Sequence, residues 1–422
     1  MSQNPVMDTA ISNAPHTDGP TLNQRLRKVD AAKTRRSLWL IAPLLAFVVV
    51  CFLFPIGAIL SKSVQNPEIS GALPNTVAAL QQWDGHQLPD EALFATMGKE
   101  LVAARERGQI AVVAKRMSYE NSSFRRLITA TPRLVPKEDA AVKETLIAAL
   151  PDWGKLSTWQ TLQRASASIT PYYLLSVFDR KVAIDSGKIE KLPADQALYF
   201  NVLLRTLWMA TVVTLLCVLL GYPLAYWLAK QPIGRANLLM IMVLLPFWTS
   251  LIVRTASWIV LLQSGGLINS ALQGLGIIDH PLTLVFNRVG VYISMTHILL
   301  PFIVLPLYAV MKGISPNYVR AAISLGAHPF SAFWRVYVPQ TYAGVTAGAL
   351  LVFMMAIGYY VTPALLGGPD DQMVSYFVAF FTNTTMNWGM AAALGTQLLI
   401  IVILLYILYT RVTRTSAEAA RH

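Results

Sequence analysis

Long apolar runs alternate with polar segments along this chain, and the runs predict six membrane-crossing helices. Each run is long enough to cross, as a helix, the roughly 30 Å hydrocarbon layer of a bilayer. The first predicted span is 38–61, and the other five belong to a core at 196–414, where they cover 206–228, 238–262, 290–310, 344–366 and 391–409. The pattern therefore indicates an all-α integral membrane protein.

The membrane signal disappears between the first and second spans, over residues 62–195. This segment is close to charge balance, and helix start and stop signals recur in it. One helix is predicted to begin at Pro89 and to stop at Gly108, another begins at Pro136, and Ser157 is predicted to cap a third. We therefore predict a mostly helical insertion that is large enough to be a small domain.

Charged residues beside the apolar runs predict the orientation of the chain. A basic cluster ends the N-terminal tail 1–37, and Lys230 and Arg235 lie between the second and third spans. The loop between the fifth and sixth spans instead carries Asp370 and its acidic neighbour. By the positive-inside rule, the tails 1–37 and 415–422 are expected in the cytoplasm and the insertion on the opposite, extracytoplasmic side.

The composition and net charge limit the classes of partner that the chain can bind. A formal net charge of +12 would suggest nucleic acid in a soluble protein, but 55% of the residues are hydrophobic and a bilayer explains the basic flanks. No nucleic-acid partner is expected, whereas membrane lipid is.

Candidate catalytic and metal-binding residues are scarce. The sequence has no GxxxxGK[ST] phosphate loop, and no serine, cysteine or paired-carboxylate constellation stands out. The six histidines have no metal-ligand spacing, and Cys51 and Cys217 lie in apolar runs where packing is their expected role. We therefore predict a non-catalytic chain that binds no metal and no cofactor itself.

The stretch RAAISLGAHPFSAFWRVYVP, from Arg320 to Pro339, is a basic interruption between two apolar runs. Apolar residues fall at helical spacing in two sets, Tyr318, Ala321, Ala322 and Leu325, then Phe330, Phe333, Trp334 and Tyr337. Gly326 and Pro329 lie between the sets, so a helix, a short turn and a second helix are predicted. Two such amphipathic helices could rest on the bilayer or dock into another protein.

This stretch resembles the EAA loop of ABC importer permeases, written E-A-A-x3-G-x9-I-x-L-P. Ala321, Ala322, Gly326 and Pro339 match that pattern at the family spacing, and valines replace its Ile and Leu. Arg320 stands where the family has Glu, which reverses a charge. Segments 244–262, 298–311 and 358–368 are similar to the spermidine/putrescine-type branch of these permeases, so the resemblance covers about 201–414.

The resemblance implies the type I ABC importer permease fold in a bacterial inner membrane. It implies that loop 318–339 couples to a dimer of ABC ATPases, which use ATP and Mg²⁺. It further implies a second permease subunit and an external solute-binding protein. The ATPase-coupling residues carried over are Arg320, Ala321, Ala322, Leu325, Gly326, Ala327, Phe330 and Pro339.

Residues of the substrate pathway are less defined. Arg254 falls within the third predicted span, where it could face the path or pair across the permease interface, or else snorkel or brace the bundle. Trp248, Thr249, Tyr359 and Tyr360 could line the path, although packing is the alternative for each.

The spans contain no Asp or Glu, so a polyamine would be held by aromatic faces, by backbone carbonyls or by the partner subunit. A zwitterionic or anionic solute meeting Arg254 is the alternative. A secondary transporter or channel acting without an ATPase would want inverted repeats and intramembrane carboxylates, and neither is evident. A scaffold or receptor that acts through the insertion is a third hypothesis.

Overall fold

The computed structural model describes residues 39–136, 141–183, 187–193 and 197–419, with side chains as far as 411. The predicted tail 1–37 lies outside the described residues. The chain divides into two compact units, 1–58 and 59–422, and the second contains both the insertion and the membrane core.

The described residues include six helices that are long and apolar enough to cross a membrane, as predicted. They are Trp39–Ser61, Tyr199–Lys230, Leu251–Gly274, Arg288–Gly313, Pro329–Gly358 and Trp388–Arg411. The first of these, α1, contains a π-helical segment at Val49–Leu53. Two of the other spans differ from the sequence prediction because their helices are broken.

The third span is not the single helix 238–262 that the sequence predicts. Helix α11 (Ile233–Leu244) is followed by a 3-10 turn at Leu245–Trp248, and α12 begins only at Leu251 and ends at Leu262. Pro246 lies in this turn and has no N–H to continue the helix. Hydropathy alone hides the break because both pieces are apolar. A short helix, α13 (Leu267–Gly274), follows.

The fifth span also ends earlier than predicted. Helix α17 runs over Val338–Gly358, and after a break at Tyr359 and Tyr360 a short helix, α18, covers Val361–Leu366. The predicted loop that follows contains another apolar helix, α19 (Val374–Asn383), before α20 (Trp388–Ala419).

Helices α10 (Tyr199–Lys230), α14 (Arg288–Gly313) and α17 pack on one another and form the centre of the membrane core. Ile303 of α14 lies between two glycines of its neighbours. A Cβ on Gly221 would come within 2.6 Å of the Ile303 side chain, and one on Gly348 within 3.1 Å. Small residues at this crossing let the backbones approach closely, as is common where membrane helices pack.

The insertion is mostly helical, as predicted. Its helices are α2 (Pro67–Ala72), α3 (Pro74–Gln82), α4 (Glu91–Glu106), α5 (Ile110–Ser118), α6 (Ser123–Ala130), α7 (Val142–Ala149), α8 (Leu156–Ala165) and α9 (Tyr172–Ser176). An antiparallel hairpin follows, in which β1 (Arg180–Val182) pairs with β2 (Ile189–Lys191). Three large aromatic side chains lie fully buried at the centre of the insertion: Phe94, Trp153 and Trp159.

Helix caps in the insertion differ in detail from the predicted ones. Asp90, not Pro89, precedes α4, and its side chain accepts a hydrogen bond from the Leu93 N–H at 3.0 Å. Ser157 lies inside α8, because Lys155 occupies the capping position. Gly108 follows the end of α4 with a φ of +72°, in keeping with its predicted role as a stop.

The chain enters and leaves the insertion at the same place. The Asn66 N–H donates to Ser168 at 3.0 Å, and the Thr170 N–H donates to Val64 at 2.8 Å. These two hydrogen bonds flank a bridge between Gln65 and the returning chain. Residues 67–168 therefore form a lobe that closes on its own base.

The base of the insertion is attached to one end of the membrane core, called here the insertion-side end. Asp179 accepts hydrogen bonds from the N–H groups of residues 198, 199 and 200, at 2.9–3.1 Å, and so caps the start of α10. Tyr173 of α9 lies against Gly389, where an added Cβ would meet its ring at 2.4 Å. The opposite end, called the loop-side end, carries the segment 312–337.

Candidate functional site

The loop-side end contains a helix, a tight turn and a second helix, as predicted. Helix α15 (Asn317–Ser324) ends in a Schellman motif, in which the Gly326 N–H donates to Ile323 at 2.9 Å and the Ala327 N–H donates to Ala322 at 3.0 Å. Gly326 has a φ of +92°, a conformation that side chains with a Cβ rarely adopt. The turn therefore depends on glycine at this position.

Apolar side chains surround this turn without any cover. Leu325 is 90% exposed and Phe330 is 68% exposed. Arg320 and Ala321 are also exposed, whereas Ala322 and Ala327 are half-buried. We call these four residues, with Leu325, Gly326 and Phe330, the loop face. Pro339 lies apart from it, in the first turn of α17.

The second apolar set does not form one continuous docking surface. Phe333 and Tyr337 lie in a π-helical segment, Phe333–Tyr337, that follows α16 (Pro329–Ala332). Both rings contact Tyr226 of α10 edge-on, with centroids 5.3 Å and 5.2 Å away. Phe333, which the sequence places on the docking face, instead fixes the loop to the core.

The two breaks in the membrane helices lie close together. Helix α12 packs against α18, and the hydroxyl groups of Thr255 and Thr362 are 3.3 Å apart. Arg254 lies in the first turn of α12, and its Nε is buried with no hydrogen-bond acceptor in the described part of the chain. Irregular backbone at membrane depth occurs where it is buried in protein or lines an aqueous cavity. The breaks therefore mark the candidate solute path.

The sequence-predicted pathway residues fall on these breaks. Trp248 and Thr249 end the 3-10 turn before α12, and Trp248 is 85% exposed. Tyr359 and Tyr360 separate α17 from α18. Arg254 is near enough to Tyr359 to interact with it electrostatically. Trp248, by contrast, faces the outside of the chain.

Sequence reasoning missed His297 of α14. Its ring lies 5.3 Å from that of Trp258, whose Nε1–H donates to His297 Nδ1 at 3.2 Å. Arg254 also acts on His297 electrostatically. An ionisable residue inside an apolar span was the signal that could have found it, because such residues inside a membrane are often functional.

A second polar group lies at the rim of the insertion-side end. The Arg288 Nε donates to the Asp371 carboxylate at 2.8 Å, and Arg205 donates to the Asp370 carbonyl. Asp371 also accepts the Gly368 N–H at 3.0 Å. These contacts hold the turn between α18 and α19, and Asp371 is therefore a structural residue. Among the described residues, no three His, Cys, Asp or Glu side chains are grouped as metal ligands would be.

The family model of the binding-protein-dependent transport system inner membrane component matches residues 193–417. The chain belongs to this family. It is therefore a multi-pass permease of the ABC importer class with the type I fold, as the loop face and the spans indicate. The match begins near the end of the insertion, so the lobe 67–168 lies outside it.

Relatives of similar sequence are transport permeases. The spermidine/putrescine transport system permease protein PotB of Salmonella typhimurium strain SL1344 is 36% identical over 217 residues, which cover 51% of this chain and 76% of that protein. PotB of Escherichia coli K12 is also 36% identical, with 79% of its length covered. The inner membrane ABC transporter permease protein YdcU of the same strain is 31% identical over 50% of this chain and 71% of its own.

Solved structures similar to this chain include a bacterial alginate ABC transporter in complex with its alginate pentasaccharide-bound periplasmic protein. The likeness covers 51% of this chain and 78% of that one, at 17% identity and a TM-score of 0.43.

Proposed function

We propose that this chain is the permease subunit of an ATP-driven importer that moves a polyamine or a related small organic amine into the cytoplasm by alternating access. The observation that carries the proposal is the loop face, an uncovered apolar turn built on Gly326, in a chain of the permease family. The relatives named for spermidine and putrescine support the solute class.

The charged residues at the two ends of the membrane core differ in kind. Between residues 196 and 417 the sequence contains three acids, Asp279, Asp370 and Asp371. The last two lie at the insertion-side rim, and Asp279 lies in the segment that leads to the insertion-side start of α14. Lys312 lies at the other end, where its Nζ donates to Ala229 at 3.3 Å. Lys230, Arg235, Arg320 and Arg335 also lie at the loop-side end. Because the positive-inside rule counts basic residues in short loops, the loop-side end is cytoplasmic in this proposal.

In this proposal, the loop face docks into a dimer of ABC ATPases that binds ATP and Mg²⁺. Leu325 and Phe330 supply apolar contact, and an exposed apolar patch with a rigid backbone turn suits a protein groove. Phe333 and Tyr337 connect the loop to α10, so movement of the ATPases would be passed to the second span. This chain would perform no chemistry on the nucleotide.

Substitution of Gly326 by Asp tests the coupling role. The Asp side chain would strain the turn, because φ at this position is +92°, and would place an anion on the docking face. We expect solute uptake in proteoliposomes to fall to about a tenth or less, which corresponds to ~1.4 kcal/mol or more. Gly313→Asp is the matched control, since Gly313 lies in the same region with open space around it. Normal uptake by Gly326→Asp would reject the coupling role.

The solute class is tested on the external binding protein of the same importer. We expect putrescine or spermidine to raise its thermal unfolding temperature. Arg254, a cation among membrane spans that contain no Asp or Glu, favours a second candidate, a zwitterionic or anionic solute. Stabilisation by such a solute, with none by polyamines, would reject the amine proposal and leave the permease assignment standing.

We also propose that the lobe 67–168 contacts the external binding protein, because it projects from the insertion-side end and is not part of the family match. A deletion of the whole segment 71–192 would also remove Asp179 and its cap on α10. Replacement of 67–168 by a short Gly–Ser link leaves that cap in place. We expect stimulation of the ATPase by the binding protein to be lost; full stimulation would reject the contact.

A further inference from the structure

A cleft of about 480 Å³ lies between the β-hairpin of the insertion and the start of α10. Phe178, Leu192 and Phe200 form much of its apolar lining, and Arg180 and Lys191 bring charge to it. Its volume is in the range of protein pockets that hold small ligands. None of its lining residues belongs to α12 or α18, so the cleft is separate from the candidate solute path.

Two cations reach this cleft from opposite strands of the hairpin. Arg180 of β1 is the direct partner of Lys191 of β2 in the antiparallel register. Directly opposite side chains point to the same face of a two-stranded sheet, and like charges placed in this way destabilise the pair of strands. Within the described part of the chain, neither residue forms an ion pair. An anion between them would therefore stabilise the hairpin.

The acids described in this region do not neutralise the two cations. Asp179 lines the cleft, but its carboxylate already accepts three N–H groups at the start of α10, at 2.9–3.1 Å. Glu190 is the register partner of Lys181, and this second pair points to the opposite face of the hairpin. The cleft is therefore net positive.

The length of α10 places the cleft at the level of the lipid headgroups. The helix has 32 residues, which is about 48 Å at a rise of about 1.5 Å per residue. A bilayer with its headgroup layers is about 40–45 Å thick, so the first turn of α10 emerges at the insertion-side surface. Phe178 and Phe200 are each 47% exposed at this level. Ile189, on the same face of the hairpin as the two cations, is 56% exposed.

We infer that this cleft binds the headgroup of an anionic phospholipid in the insertion-side leaflet. Arg180 and Lys191 hold the phosphate, because charge-assisted hydrogen bonds to phosphate are strong and clustered cations attract anionic lipid. Phe178 and Phe200 contact the upper part of the acyl chains. A soluble phosphate would leave these rings uncovered, so the lipid is the occupant that uses the whole cleft. The bound lipid fastens the base of the insertion to the membrane surface.

Photo-cross-linking identifies the occupant directly. Phe178 is replaced by benzoylphenylalanine in the full chain, in vesicles of equal parts phosphatidylglycerol and phosphatidylcholine. The same probe at Leu215, which is 62% exposed on α10, is the control for bulk lipid. The ratio of phosphatidylglycerol to phosphatidylcholine captured at Phe178 should exceed that at Leu215 at least about fivefold, the factor that one cation near the membrane surface contributes. Equal ratios at the two positions would overturn the inference.

Neutral variants test whether the two cations select the lipid. Arg180→Gln combined with Lys191→Gln should lower the ratio captured at Phe178 to that at Leu215. Arg125→Gln combined with Arg126→Gln is the matched control, since it removes two exposed cations from α6 and should leave the ratio unchanged. A ratio that the first double variant does not lower would overturn the inference.

Thermal unfolding gives a readout that a merely structural role of the cations would not produce. In detergent without lipid, Lys191→Gln should unfold at the same temperature as the unmodified chain or higher, because one of two opposed like charges is removed. With phosphatidylglycerol added, the order should reverse, because a ligand stabilises the protein that binds it. Equal stabilisation of the unmodified chain by phosphatidylglycerol and by phosphatidylcholine would overturn the inference.

Competition separates the lipid from other occupants of the cleft. Water-soluble glycerol phosphate, added in excess, should not reduce the capture of lipid at Phe178. Displacement of the lipid by glycerol phosphate would instead identify a site for a soluble phosphate. Capture of the external binding protein in place of lipid would identify a protein contact. Either of these two results would overturn the inference.

Discussion

Arg116 in the insertion and Arg254 in the membrane core both have buried guanidinium nitrogen atoms, but they differ in how these are satisfied. Arg116 is 2% exposed, and its Nε donates to Asn66 at 2.8 Å. Its two terminal nitrogens donate to Glu120 at 3.2 Å. The Nε of Arg254 has no acceptor among the described residues. The first arginine completes a polar site that the chain makes alone, and the second leaves one buried nitrogen atom without an acceptor among the described residues.

Aromatic rings close the remaining sides of the Arg116 site. Its Cζ lies 5.0 Å from the ring centroid of Tyr172 and 5.5 Å from that of Tyr173. Burial raises the pKa of both phenols, and it raises the pKa of neighbouring Tyr119 to about 12. The three tyrosines therefore stay neutral at physiological pH, and their faces can stabilise the cation.

The same contrast extends to the apolar surfaces of the two regions. Phe94, Trp153 and Trp159 are fully buried in the insertion, whereas Leu325 and Phe330 at the loop-side end are uncovered. The insertion has the properties of a self-sufficient folded lobe. The membrane core instead leaves large apolar side chains exposed at its loop-side end. Substitutions in the first should therefore reduce stability, and those in the second should reduce assembly and transport.

Arg116→Met should have the largest effect on stability. It leaves the Glu120 carboxylate buried without its main partner and removes the donor to Asn66. Breaking a buried ion pair by removing one partner costs about 3–5 kcal/mol. Hydrogen exchange of peptides from 67–168, measured in the full-length chain, should accelerate accordingly.

Arg125→Met is the matched control for that substitution, since Arg125 is exposed on α6. It should change stability by no more than about 0.5 kcal/mol. Equal hydrogen exchange in the two variants would mean that the hydrogen bonds of Arg116 to Asn66 and Glu120 do not stabilise the lobe. Arg116 would then not differ from Arg254 in its contribution to stability.

Many of the helices in the insertion and in the membrane core could be predicted from the sequence. Hydropathy located six spans, and the pair Gly326 and Pro329 located the turn at the loop-side end. Each of these signals lies within a short window, where local apolar character or backbone preference decides the outcome.

The breaks in the third and fifth spans could not be predicted in the same way. The residues on both sides of each break are apolar, so the hydropathy pattern continues through Trp248 and through Tyr359. The contacts that define the sites join distant residues, such as Asn66 with Arg116 and Arg288 with Asp371. Helical periodicity has no information about such pairs.

Gly389→Ala should have the next largest effect, at the attachment of the insertion to α20. The new Cβ would meet the Tyr173 ring at 2.4 Å, which is well inside contact distance. Overpacking of this kind typically costs about 1–3 kcal/mol. The thermal unfolding midpoint of the purified chain should fall.

Gly395→Ala, in the same helix with open space around it, should be neutral or stabilising by up to about 1 kcal/mol. If Gly389→Ala is as stable as Gly395→Ala, Tyr173 can move aside and the attachment is looser than the packing indicates.

Asp179→Ala should destabilise the start of α10 by about 0.5–2 kcal/mol, the usual range for loss of an N-cap. The carboxylate accepts hydrogen bonds from three successive N–H groups, and Asp179 itself has a φ of +54°. Asp179→Asn should lose less, because Asn tolerates this backbone conformation and keeps one acceptor oxygen. Hydrogen exchange of the peptide that contains residues 199–206 measures the stability of the start of α10 in both variants. Equal exchange rates in Asp179→Ala and Asp179→Asn would show that loss of the cap is not the cause of the destabilisation.

Arg320→Glu should have the smallest effect on stability and so gives the sharpest separation of the two regions. Arg320 is exposed on α15, and a surface substitution of this kind changes stability by about 0.5 kcal/mol or less. Coupling should nevertheless weaken, because the loop-side end between Gly313 and Pro339 contains no acid and its ATPase groove should be negative. Binding-protein-stimulated ATPase activity is expected to fall several-fold, with Arg320→Gln intermediate. Activity of Arg320→Glu equal to that of the unmodified chain would show that this position needs only a polar helix face, whatever its charge.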